Sequence, residues 1–185
     1  MNSNKALLII DVQVGLFAGE ENGGPVIYNS AQLLKNINNA AEKARASKAP
    51  VIYIQHTGPD DSVAGFGKPL WQIHPAVEPK QNDIKVIKTH ADAFYETTLH
   101  QLLQSMNISA LAIMGLMTEY CVDTTLRRAF SLGYKIEFVS DGHSTYDSAA
   151  LPAVKVIEHH NGALSGINPY AEKFADLKRT EELVF

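Results

Sequence analysis

Short, unbroken apolar runs alternate along the chain with longer segments in which apolar residues return every three or four positions. Ala6 to Ile10, Val51 to Ile54, Ile84 to Ile87, Leu111 to Met114 and Ile136 to Val139 are the runs. Most are continuous rather than alternating, the pattern of strands covered on both faces. Between them, Leu33, Leu34, Ile37, Ala40, Ala41 and Ala44 mark one helical face, and Leu99, Leu102, Leu103 and Met106 mark another. Val122, Leu126, Ala129 and Phe130 mark a third, which Gly133 closes as a C-terminal cap. A fourth helix is predicted from about Ser148 to His160, with Pro152 in its first turn.

Strands that alternate with helices imply parallel βαβ units with right-handed crossovers. The predicted fold is therefore α/β: a doubly wound, mainly parallel sheet in a three-layer, Rossmann-like sandwich. The 185 residues fit one domain, 1–185, with no internal repeat or linker. One piece stands out. Thr57 to Asn82 carries Gly58, Gly65, Gly67 and four prolines, and a loop of that length is usually functional or mobile.

Charge narrows the partners. Sixteen Lys and Arg against twenty Asp and Glu give a net charge of -4, which argues against nucleic acid and anionic membranes. No run approaches the roughly eighteen apolar residues of a membrane span, and the opening Met1 to Ile10 stretch is too short for a signal-peptide core. A single cysteine permits no internal disulfide and suits a reducing compartment, so the expected setting is the cytoplasm and the expected partner a small molecule.

In an open α/β sheet, ligands bind beyond the carboxyl ends of the strands, so the residues that end strands are the informative ones. Asp11 follows the first run and Lys88 the third. Gly115 ends the fourth and leads through Leu116, Met117, Thr118, Glu119 and Tyr120 to Cys121, and Asp141 ends the fifth. Thr118 is a candidate N-cap, which would put Cys121 in the first turn of its helix. There the helix dipole and a nearby Lys88 ammonium would favour a thiolate, and free backbone N–H groups could receive an oxyanion. Each residue also has a plainer reading: Cys121 as a small buried apolar side chain, Asp11 as a cap, Lys88 as one more surface lysine. Together they make a plausible nucleophile, base and electrostatic partner.

The histidines argue for no metal. His56 and His74 flank the long loop without metal-ligand spacing, and His159 and His160 lie late in a helix, where a cation is favoured. Phe17, Trp71, Phe66 and Tyr120 could wall an apolar pocket, although aromatics beside a sheet are more often packing. Gly19 to Gly24, before Pro25, has neither P-loop nor dinucleotide-binding spacing.

These residues fit a known pattern. The sequence resembles the isochorismatase-like cysteine hydrolase superfamily, which includes nicotinamidases, carbamoylsarcosine amidohydrolases and streptothricin hydrolases. The resemblance runs from Ala6-Leu7-Leu8-Ile9-Ile10-Asp11-Val12-Gln13 to the last helix. Val86-Ile87-Lys88-Thr89-His90-Ala91-Asp92-Ala93-Phe94 looks like the lysine segment, and Gly115 to Thr125 looks like the nucleophile turn. It implies a triad of Asp11, Lys88 and Cys121, a cis peptide between Leu116 and Met117, and an oxyanion hole built from the amides of Met117 and Cys121. Nicotinamidases of this superfamily carry an Asp-x-His metal motif after the second strand. Tyr53 to Asp60 lacks it, which speaks against that activity and against a metal, and no cofactor is expected.

The expected activity is hydrolysis of a carbon–nitrogen bond in a small amide, lactam or ureido compound through a thioester on Cys121, with Phe17, Trp71 and Tyr120 as pocket walls. Two alternatives stand beside it. One is isochorismatase-type vinyl-ether cleavage, which relies on an acid such as Asp11 and not on the thiol. The other is a catalytically silent binding or thiol-sensing protein. The resemblance further implies a homo-oligomer, a dimer or tetramer.

Overall fold

A computed structural model describes residues 4–19, 23–167 and 172–185. Six strands form one sheet: β1 (Lys5–Ile10), β2 (Val51–His56), β3 (Ile84–Lys88), β4 (Ala110–Leu116), β5 (Lys135–Ser144) and β6 (Asp176–Lys178). Their order is β3-β2-β1-β4-β5-β6 and every neighbouring pair is parallel. This is the doubly wound arrangement that the alternation of strands and helices predicts, with the order reversing between β1 and β4.

Helices α1 (Val14–Phe17), α2 (Ser30–Ala46), α3 (Leu99–Ser105), α4 (Asp123–Ser131) and α5 (Ala153–Ser165) complete the layers. The unbroken apolar runs serve two cores because successive strand residues face opposite sides. Ala6, Leu8, Ile10, Leu111 and Ile113 pack with Leu99, Leu103 and Leu126 on one face. Leu7, Ile9, Ala112 and Met114 pack with Leu33, Ile37 and Ala40 of α2 on the other. The two central strands approach closely where the site begins. Gly115 has φ +126°, and a Cβ there would stand 2.2 Å from the Ile10 carbonyl oxygen, so only glycine fits.

Several expectations are corrected. The strands run longer than their apolar cores, and β6 was not anticipated, since three mostly exposed residues carry no hydrophobic pattern. Asp141 lies within β5 instead of ending it. Its Oδ1 accepts hydrogen bonds from the Thr180 N–H and hydroxyl, which makes it an anchor for the C-terminal segment. The fourth helix starts at Ala153, because Pro152 is the extended N-cap and Ser148 and Leu151 close a turn before it. It continues to Ser165, so His159 and His160 lie mid-helix. The Gly19 to Gly24 stretch includes residues 20–22, which lie outside the described residues. Among the described residues, no helix is long and apolar enough to cross a membrane.

Candidate active site

Three strand ends converge where the sheet order reverses. Asp11 follows β1 and adopts φ +52°, a backbone conformation uncommon for residues other than glycine but one that Asp tolerates. Its N–H donates to Ile54 O, and its carbonyl accepts from Gln13 N–H, which together turn the chain sharply off the strand. Lys88 ends β3 in register with His56 at the end of β2. The peptide bond between Leu116 and Met117 is cis. A single wide π-type turn, Thr118–Val122, then carries Cys121 back over the sheet edge and runs into α4.

The Lys88 ammonium is the hub. Its Nζ lies 2.6 Å from Asp11 Oδ2, 3.2 Å from Cys121 Sγ, 3.2 Å from His56 Nδ1 and 3.0 Å from the His90 carbonyl oxygen. Asp11 and Lys88 are buried, which settles Lys88 against the surface-lysine reading, and Cys121 is partly exposed. Asp11 uses Oδ2 for the lysine, while its buried Oδ1 makes no hydrogen bond among the described residues.

Electrostatics overturn one expectation. The Cys121 thiol is pushed up to about 12, mainly by burial and then by the Asp11 carboxylate, with Lys88 opposing. A thiolate is therefore not the resting form. Burial also raises the Asp11 carboxyl above its ordinary range, against the pull of Lys88. Burial, followed by the charge of Lys88, lowers His56.

Thr118 is not the N-cap. Met117 holds that position, and the Thr118 hydroxyl instead meets His143 Nδ1 at 2.8 Å in the interior. His143 Nε2 in turn lies 3.0 Å from Asn161 Oδ1. This line of hydrogen bonds fixes the residue that opens the turn carrying Cys121.

Metal ligation has one candidate among the described residues. Asp11, His56 and Cys121 offer donor atoms within 4.8 Å of one another. The same three side chains surround the Lys88 ammonium, so a cation supplied by the protein already occupies the point on which they converge.

A cavity of about 460 Å³ opens from Asp11, His56 and Cys121. Leu116, Met117 and Tyr120, Gly15 and Leu16, and Val63, Ala64 and Leu70 of the long loop line it. That loop is tied down rather than loose. Val14 N–H donates to Gln72 O, His74 N–H to Val12 O, and the Gln13 amide grips the carbonyls of His56 and Trp71.

Tyr120 thus lines the cavity as expected, but Phe17 and Trp71 do not. Phe17 is buried against the His74 ring at 4.6 Å. Trp71 turns its ring nitrogen to Thr57 Oγ1 at 2.8 Å and its face to Phe66. His56, which the sequence places only on the flank of the long loop, belongs to the site. It ends β2, and ending that strand at Ile54 hid it two residues beyond the boundary.

Comparison with known proteins identifies the family. The Isochorismatase domain family matches residues 5–177. A streptothricin hydrolase of Streptomyces noursei is 33% identical over 150 residues, which are 81% of this chain and 53% of the relative. The chain thus spans little more than half the length of that curated relative. A ureidoacrylate amidohydrolase of Pseudomonas savastanoi is 26% identical over 205 residues, covering 92% of this chain and 83% of that one. A crystal structure of an isochorismatase family protein superposes with a TM-score of 0.84 at 32% identity, covering 96% and 99% of the two chains.

Proposed function

The chain belongs to the isochorismatase family, and we propose that it is a hydrolase cleaving the carbon–nitrogen bond of a small amide, lactam or ureido compound through a thioester on Cys121. The observation that carries this reading is the division of labour on Asp11. Lys88 holds Oδ2 at 2.6 Å, Oδ1 is buried without a hydrogen bond among the described residues, and the carboxylate lies within 4.8 Å of the Cys121 sulfur.

At neutral pH the thiol keeps its proton, since burial and Asp11 hold it near 12. Asp11 takes that proton as sulfur attacks the carbonyl carbon, and the Lys88 ammonium offsets the negative charge moving onto sulfur. The new C–S bond pushes the carbonyl electrons onto oxygen, where the amides of Met117 and Cys121 receive them. When the tetrahedral centre collapses, the C–N bond breaks and the leaving nitrogen accepts the proton from Asp11. Water then attacks the thioester and gives one proton to Asp11. The C–S bond breaks, and that proton returns to sulfur. The products are an acid and an amine or ammonia. Each step uses this chain's own residues.

Relatives support the amide class: their names include a streptothricin hydrolase and a ureidoacrylate amidohydrolase. The test is release of ammonia or amine from a panel of small amides, lactams and ureido compounds, with quenched reactions examined by mass spectrometry for an acyl group on Cys121. Turnover together with acylated Cys121 is the expected result. Turnover that persists in a folded Cys121→Ala protein would overturn the thioester route.

A further inference from the structure

Beyond the reacting centre the cavity is chemically one-sided, and we infer that the substrate is an uncharged amide whose body is compact and apolar, without a carboxylate. This inference rests on the amidohydrolase reading and narrows it. The cavity's apolar lining includes Leu16, Val63, Ala64, Leu70, Met117 and Tyr120. Among the described residues that line it, none is a lysine or arginine. The residues outside the described set contain neither type as well.

The Gln13 amide and the nearby ammonium are already engaged. Gln13 lines the cavity, but its Nε2 donates to His56 O at 3.0 Å and Trp71 O at 2.7 Å, while its Oε1 accepts from His56 N–H at 2.8 Å. The Lys88 ammonium is shared among Asp11, Cys121, His56 and His90. Asp11 is itself an acid, so a second carboxylate would meet like charge. An anionic substrate would therefore leave water for largely apolar walls and find no unshared cation, which is a costly arrangement. An uncharged apolar body loses nothing against those walls, and the reacting carbonyl is the group that needs donors.

The experiment compares matched pairs of primary amides that differ by a terminal carboxylate: butyramide against succinamic acid, and valeramide against glutaramic acid. Ammonia release gives kcat/KM for each. The neutral member is expected to be faster by about a hundredfold or more, as for a charge left without a partner. Equal or faster turnover of the acids would overturn the inference and leave amide hydrolysis standing.

A second measurement does not depend on hydrolysis at all. Cys121 is alkylated with neutral iodoacetamide and with anionic iodoacetate, and the rate ratio is compared with that of a free small thiol. A ratio at least about tenfold larger on the protein is expected; a ratio equal to the free thiol's would overturn the selectivity even if no amide were cleaved. In a Val63→Arg protein, a cation on the wall should raise turnover of the acids relative to their neutral partners. An unchanged preference would count against the wall as its source.

Discussion

The Lys88 ammonium lies 2.6 Å from Asp11 Oδ2, with both side chains sealed from solvent. A pair so placed is held together by the cost of separating it, because each charge is the other's replacement for water. Asp11→Asn or Lys88→Met alone should therefore destabilise the protein by about 3–5 kcal/mol. The Asp11→Asn, Lys88→Met double variant should recover most of that loss, since neither charge is then stranded. Urea unfolding of the four proteins tests the coupling. A double variant whose loss equals the sum of the single losses would rule it out.

The same pair sets the thiol. Asp11 raises Cys121 and Lys88 lowers it, with burial the larger cause of its elevation. Alkylation of Cys121 by iodoacetamide should thus have its half-point well above that of a free thiol. Asp11→Asn should move the half-point to lower pH and Lys88→Met to higher pH. Rates measured by mass spectrometry from pH 6 to the alkaline limit of the fold give both shifts. Movement of both variants in one direction would contradict this charge arrangement.

Turnover, like alkylation, should fall toward acid, but through Asp11 and not through the thiol. Asp11 must be ionised to take the thiol proton, and burial raises its carboxyl above the ordinary range. The kcat/KM profile for a neutral amide should therefore fall on the acid side at a pH above that of an ordinary carboxylate. Cys121→Ser should retain the fold and lose activity by about a thousandfold or more. An acid limb in the ordinary carboxylate range would mean that another group supplies the base.

How much of this was legible in the sequence follows from what each residue depends on. Asp11, Lys88 and Cys121 are adjacent to continuous apolar runs, and the doubly wound rule places strand ends together. Their convergence needed only the periodicity and the sheet order. His56 depends on where β2 stops, and strand boundaries extend past their apolar residues when the last side chains face a site. Phe17 and Trp71 failed for a different reason. An aromatic in a loop reveals its size but not its direction, and here His74 and Thr57 claim the rings. The Thr118–His143 contact joins residues 25 positions apart, from the turn after β4 to β5, a strand paired with β4. Its register breaks between Ile113 and Gly115, so no spacing rule anticipates it.

That contact yields the last prediction. His143 is buried and stacked on Phe138 at 4.3 Å, with Thr118 and Asn161 on its two nitrogens. Burial pushes its pKa down to about 4, against about 6.5 for a free imidazole. Between those values the unfolded chain binds a proton that the folded protein refuses, so stability falls as pH drops from 6.5 toward 4. At about 1.4 kcal/mol per pH unit, the loss by pH 4.5 is roughly 2 to 3 kcal/mol. His143→Gln keeps a neutral hydrogen-bonding side chain and removes the titration. It should be less stable than the parent protein at pH 7.5, and the gap should shrink by roughly 2 to 3 kcal/mol at pH 4.5. Urea unfolding of the two proteins at both pH values cancels the carboxylates they share. Parallel losses in the two proteins would mean that His143 takes up its proton without opening the turn that carries Cys121.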